Sequence, residues 1–355
     1  MTRKMALGFV IFLVICAALY LRYRHPKPLL GTAYVGGREV TLWDSSAQVR
    51  APIATVNYGE EVSILERFGE QVEVRTAAGV TGWTTDSNLL SQEFWKQEQN
   101  LEAQTAKMTA EAQGHTRVIS NLHIDPARDS PRVRQLSKDV AIEFFARAPV
   151  PVPSEVTGAI TPVVAKTPES DTESEASPAL DANGGAPKKE DWWLVRAHFS
   201  DNSTLSGWVL GRFVDLDVPE PLPDYASSAD MRIVAWFELN RVADSDGQMR
   251  PQYLVVGTHE AEGQVCDFTM MRVYTWGKER TRYETAFVQS DLCGRLPVKL
   301  TRVARGQAGS QDTSFSFADL SDGPVTMRTY RMHQTIVRRV DLEEASREKK
   351  QRASR

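Results

Sequence analysis

The sequence predicts a mostly-β chain: two small barrels, a C-terminal β-sandwich or open barrel, an apolar helix at the start and one connecting helix. Three observations carry this. Short runs alternating apolar and polar residues recur between turn residues, the period of half-buried strands. A variant of the stretch 31–90 recurs after residue 115. The last third holds a further series of strand-like runs separated by Gly and Asp turns.

Length and composition set the frame. A chain of 355 residues implies more than one domain. At 41% hydrophobic and 25% charged residues it has ordinary globular composition. A net charge of -4 points away from a nucleic-acid partner.

The first element is a membrane anchor with its flank, residues 1–30. Thr2-Arg3-Lys4 caps an apolar run from Ala6 to Leu21. The run is somewhat short of the roughly 20 residues of a spanning helix, and Met5 and Tyr23 extend it if Arg22 snorkels. A cleaved signal peptide and a lipoprotein signal ending at Cys16 are the alternatives. Basic residues balance on the two sides of the run, so charge leaves the orientation open.

Residues 31–90 form the first barrel. Val62, Ile64, Val72 and Val74 alternate with polar neighbours, and Tyr58-Gly59, Phe68-Gly69 and Ala78-Gly79 supply turns. The order Gly-Glu-x-Val-x-Ile-Leu, Val-x-Val-Arg-Thr and Gly82-Trp83 resembles a bacterial SH3 domain, a small barrel of five short strands.

Residues 91–114 read as the connecting helix. Ser91 is its N-cap, Gly114 ends it, and Phe94, Leu101 and Met108 make a narrow stripe with heptad spacing. Residues 115–222 form the second SH3-like domain. Val118 matches Val40, Leu122 falls near Leu42, Val140 matches Val62, and Gly207-Trp208 matches Gly82-Trp83. Within it, residues 149–190 are rich in Pro and acid, which reads as a disordered insertion in a loop between neighbouring strands.

Residues 225–340 form the β-domain, with runs at 233–239, 252–258, 268–276, 283–289, 298–302, 314–317, 325–331 and 335–340. Residues 341–355 are a charged tail. The whole arrangement resembles membrane-anchored bacterial envelope proteins with tandem bacterial SH3 domains. The resemblance implies a single-pass inner-membrane protein with its C-terminal domains periplasmic or extracytoplasmic.

Signals for chemistry are sparse. The six histidines are scattered, and neither a phosphate loop nor a nucleophile elbow is present. His259-Glu260 with Cys266 is a poor metal set, so neither metal nor cofactor is expected. Cys266 and His333 stand in the order of a papain-like peptidase, but strand-like surroundings replace the expected helix start. The chain is therefore expected not to be an enzyme.

Aromatic residues supply the candidate ligand-binding positions: Trp43, Tyr58, Trp192 and Trp193. Trp83 and Trp208 are assigned to structural core. Trp192 and Trp193 are adjacent, so their side chains point to opposite faces of a strand, one core and one exposed. Cys266 and Cys293 are the candidate disulfide: a hairpin placing them opposite each other has its centre between Glu279 and Arg280, at a predicted turn.

The function expected is a non-catalytic envelope binding or scaffold protein. Its SH3-like domains would bind a partner protein or peptidoglycan, and the sequence leaves the oligomeric state open. The alternative is an accessory protein of a cell-wall hydrolase or peptidase. Where such domains usually carry Asn-x-Arg-x-Gly-Pro, this chain has Leu42-Trp43-Asp44-Ser45-Ser46 and Leu122-His123-Ile124-Asp125-Pro126, which shifts weight from wall binding to protein contact.

Overall fold

The computed structural model describes residues 27–152, 188–304 and 311–340. The expected membrane helix at 6–21, most of the expected insertion (153–187) and the charged tail at 341–355 lie outside the described residues. Among those described, no helix is long and apolar enough to cross a membrane. The chain is mostly β and divides into two compact units, one ending at Asn100 and one beginning at Leu101.

In the first unit, strands β1 (Gly31–Val35), β2 (Glu39–Trp43), β3 (Pro52–Asn57), β4 (Glu61–Phe68), β5 (Gln71–Thr76), β6 (Thr81–Thr85) and β7 (Leu89–Ser91) form one curled antiparallel sheet. Its order is β3-β2-β6-β5-β4-β1-β7. Alternation works as expected: Val62, Ile64, Val72 and Val74 point into a core with Val35, Val40 and Leu42. Each such side chain stabilises the unit by about 1.5–3 kcal/mol on burial. A bulge after Ile64 adds Leu65 to the buried set and bends β4. At Gly82 a Cβ would stand 2.9 Å from that of Leu42 and 3.1 Å from the Trp43 carbonyl, so β2 and β6 close only over a glycine.

Helix α1 (Gln92–Thr105) begins at the expected cap, where the Phe94 N–H donates to Ser91 Oγ at 3.1 Å. It ends sooner than composition suggests. Ala112, Gln113 and Gly114 already belong to strand β8 (Ala112–Thr116), whose ladder outweighs the local helical preference of Ala112 and Gln113. Gly114 is no helix stop: a Cβ there would lie 2.0 Å from the Asp215 carbonyl oxygen. In the first unit the helix buries Glu98 and packs through Trp95, off the expected stripe of Phe94, Leu101 and Met108. Trp95 stacks on Tyr34 at 5.0 Å and meets Tyr58 edge-on at 5.6 Å, and the Tyr58 hydroxyl donates to Glu98.

The second unit opens with β8, then β9 (Ser120–His123), β10 (Arg132–Leu136), β11 (Ala141–Pro151), β12 (Lys189–His198), β13 (Thr204–Leu210) and β14 (Val214–Leu216). Their order, β10-β9-β13-β12-β11-β8-β14, repeats that of the first sheet strand for strand. The pairing also fixes which residues correspond. Trp43 faces Trp83 and His123 faces Trp208, so Leu42 corresponds to Leu122 and Val40 to Ser120, not to Val118. Ile64 pairs with Val74 and Phe144 with Val195, so Val62 corresponds to Ile142, not to Val140. The match made from sequence is off by two residues at both places, a slip that keeps every side chain on its face. The second unit even keeps the bulge, after Phe144, with Phe145 as the extra buried residue. Residues 149–151 and 189–190, expected within the insertion, are paired strand ends.

The rest of the second unit holds α2 (Leu222–Ser228) and two four-stranded antiparallel sheets. One comprises β15 (Arg232–Ala243), β16 (Met249–Thr258), β17 (Met270–Gly277) and β18 (Arg282–Gln289). The other comprises β19 (Gly294–Ala304), β20 (Gln311–Asp319), β21 (Thr326–His333) and β22 (Ile336–Arg339). Leu239, Leu254 and Val273 from the first share one core with Phe315, Phe317, Tyr330 and Met332 from the second, and Phe268, just before β17, joins them.

Candidate functional site

The β11–β12 hairpin of the second unit is longer than its β4–β5 counterpart. Its extra length reaches the loop between β16 and β17. Arg147, flanked by small and aromatic residues on β11, has a side chain only 3% exposed. Its guanidinium bridges Asp191 and Asp267, each at 2.8 Å. It also donates to the carbonyls of Gln264 (2.8 Å) and Cys266 (3.2 Å). Burial works against the arginine's charge, but the two carboxylates outweigh it and its pKa stands above the usual value.

The same loop is tied from other sides. The Gly263 N–H donates to Asp191 at 2.8 Å, and Arg295 donates to the Val265 carbonyl. Cys266 is joined to Cys293 by a disulfide with the Cα atoms 4.7 Å apart. Cys293 is in turn held by its N–H to Asp319 at 2.9 Å and to Ser321 at 2.8 Å. The β17–β18 register near the turn, Gly277 opposite Arg282 and Trp276 opposite Tyr283, places the hairpin centre between Glu279 and Arg280.

Beside this clasp lies a cleft of about 510 Å³. Phe144, Trp193, Val214, Leu216, Ile233 and Val234 make its apolar walls. Arg117, Arg212 and Arg232 stand at it, with Asp191, Asp215 and Glu262. Asp191 is already matched by Arg147. Arg117 donates to the carbonyl of Arg212, and Arg232 to that of Glu260 at 3.5 Å. Arg212 stands 3.6 Å from Glu190, which Arg128 already grips with three hydrogen bonds of 2.7–3.2 Å. The hydrogen bonds from Arg128, working against burial, hold the Glu190 carboxyl below its usual pKa. Carbonyl partners do not neutralise a guanidinium, so the cleft carries surplus positive charge.

The aromatic candidates fall in three places. Trp43 and Trp83 are half-buried cross-strand partners on the outer face of the first sheet, under Arg50 (4.6 Å) and Lys27 (5.9 Å) respectively. Tyr58 lies under α1. Trp192 and Trp193 are both buried, at 2% and 8% exposure, so the expected exposed member of that pair is absent. Trp193 packs edge-on to Phe144 at 5.4 Å and walls the cleft. Trp192, on the opposite face, is covered by His123 at 5.3 Å and donates to Glu190. Trp83 and Trp208, assigned to core, are only half-buried, because the inward positions of β6 and β13 go to their neighbours.

Sequence reasoning missed the arginines. Arg117, Arg212 and Arg232 are scattered and share no spacing. Arg147 had a signal: a lone charge in Phe144-Phe145-Ala146-Arg147-Ala148 demands a buried partner. Among the described residues no three His, Cys, Asp or Glu side chains are placed to hold a metal.

No protein-family model matches the chain, and neither does any curated protein. Among solved structures it is similar to an NlpC/P60 family protein from Bacillus cereus ATCC 10987, at 12% identity and TM-score 0.20, covering 60% of this chain and 65% of that one. It is also similar to NlpC2 from Trichomonas vaginalis, at 8% identity and TM-score 0.17, covering 85% and 97%. At these TM-scores the likeness carries no argument about fold or chemistry. The expected non-catalytic binding or scaffold protein is corrected to its alternative, the accessory protein of a cell-wall hydrolase or peptidase.

Proposed function

We propose that the chain is an accessory protein of cell-wall hydrolases or peptidases. The observation that carries this reading is the cleft beside Trp193. It offers surplus arginine charge against an apolar floor, the mixture that small-ligand sites use, and among the described residues its lining holds no Ser, Thr or Cys. A papain-type peptidase needs a thiolate, and Cys266 is committed to Cys293. On this reading the chain performs no chemistry and prepares or positions a wall peptide for an enzyme that does.

The two seven-stranded sheets serve as SH3-like barrels and the two four-stranded sheets as a β-sandwich. The apolar run at 6–21 anchors the chain in the bacterial inner membrane by a single span. The domains lie on the oxidising side, the compartment in which a disulfide persists. Its partners are the membrane, the wall peptide and the hydrolase.

The test uses isolated sacculi with the full chain, in the presence and absence of a papain-type wall peptidase. The chain alone should release no peptides, and it should change the peptidase's initial rate. Release of peptides by the chain alone, or an unchanged peptidase rate, overturns the reading.

A further inference from the structure

We propose that the cleft of the second unit binds the free carboxylate end of a short peptide, with Arg117 and Arg212 taking the carboxylate and Trp193 the adjoining apolar side chain. This rests on the reading of the cleft as the chain's working site.

The charge pattern selects the ligand's sign. With Asp191 set against Arg147, the lining holds three arginines, Arg117, Arg212 and Arg232, against two carboxylates, Asp215 and Glu262. The balance is positive, and it lies with arginines that meet backbone carbonyls or an already satisfied Glu190. Arg117 donates to the carbonyl of Arg212 itself, so these two guanidinium-bearing residues are neighbours. A carboxylate meets a guanidinium fork in a planar, two-bond geometry that a neutral amide cannot reproduce.

The wall selects the ligand's body. Trp193 is held edge-on by Phe144 and is nearly buried, so it presents a rigid surface at little entropic cost. Val214, Leu216 and Ile233 continue the apolar floor. A bare inorganic anion would leave that floor uncovered, whereas a peptide end with a small apolar side chain covers both features. Within about 510 Å³ there is room for a dipeptide but not for a folded domain.

The clasp holds one wall in place. Glu262 sits at the start of the loop that Arg147, Asp191 and the Cys266–Cys293 bond restrain.

The experiment is calorimetric titration of the full chain with N-acetyl-alanyl-alanine as the free acid, with the same peptide as its C-terminal amide, and with inorganic phosphate. The expected result is binding of the acid about tenfold or more tighter than the amide, the size of one charge-assisted contact, about 1.4 kcal/mol. Phosphate should bind more weakly than the acid. Arg212→Gln and Arg117→Gln should each abolish most of the acid's advantage while leaving the unfolding transition where it was. Arg212→Lys should restore part of it.

Equal affinity for acid and amide overturns the proposal. So does phosphate binding as tightly as the acid, and so does an acid affinity that survives both Gln variants. If the acid fails to bind while the full chain still alters peptidase rate on sacculi, the carboxylate site falls and the accessory reading stands. If neither occurs, both fall.

Discussion

The two seven-stranded sheets share strand order, a bulge and a closing glycine, yet two equivalent positions carry opposite physics. Arg67 and Arg147 occupy the same place on their hairpins, opposite Val72 and Trp193. Arg67 pairs with Asp86 at the surface, its side chain 49% exposed. Arg147 is buried between two aspartates. Leu30 and Glu111 also correspond, each donating its N–H to the carbonyl of the matching bulge residue, Ile64 or Phe144, at 2.8 Å. Leu30 is 58% exposed, whereas Glu111 is 4% exposed and accepts the Val298 N–H at 3.0 Å. One fold thus presents an apolar residue to solvent and, in its copy, buries a carboxylate against the C-terminal sheets. The topology is repeated, and the chemistry differs where the second sheet packs against the four-stranded sheets of the same unit.

The largest test of this contrast is Arg147→Ala. Removing the arginine leaves Asp191 buried without a counter-charge and Asp267 with only Arg295, 3.6 Å away, which costs about 3–5 kcal/mol. Urea unfolding of the full chain should show that loss in the transition of the second unit. Next in size is reduction of the Cys266–Cys293 bond. With a sequence separation of 27, its loss should cost about 3–4 kcal/mol in the chain-entropy picture. Hydrogen exchange should rise around residues 263–268 and stay unchanged in β1–β7.

Glu111 gives a pH signature. Burial raises its pKa to about 7, only partly offset by the Val298 hydrogen bond. A carboxyl whose folded pKa exceeds its unfolded value contributes stability that is full below about pH 4.5 and lost as pH rises through about 7. The loss between those limits is at most about 3 kcal/mol, taking about 1.36 kcal/mol for each tenfold change in proton affinity. Thermal unfolding of Glu111→Gln should show a flatter stability curve across that window. An unchanged slope would remove Glu111 from the account. The smallest effect belongs to Arg67→Ala, which breaks an exposed pair and should cost about 0–1 kcal/mol. A loss matching that of Arg147→Ala would erase the contrast.

How much of this was legible follows from the same residues. Most strands of both sheets and of the last third were readable because alternation and turn glycines are local, although the resemblance implied five strands where each sheet has seven. The repeat was readable from Gly-Trp and the Val-x-Val-Arg run. Its register was not, since a slip of two preserves the alternating face. Helix α1 was readable at its cap but not at its end, where pairing of β8 with β11 and β14 decides. The exposed member expected of the tryptophan pair on β12 is absent because burial of Trp192 comes from His123 and Glu190, not from its own strand. The Arg147 clasp joins residues 120 positions apart in sequence, so only its need for a partner, not the partner, was written locally.

The most direct measurement compares wild type, Arg212→Gln and Arg67→Ala for their effect on a papain-type peptidase acting on isolated sacculi. The account predicts that Arg67→Ala alters the peptidase rate as wild type does, while Arg212→Gln loses the effect with its fold intact. Loss of the effect in Arg67→Ala, with Arg212→Gln behaving as wild type, would contradict it.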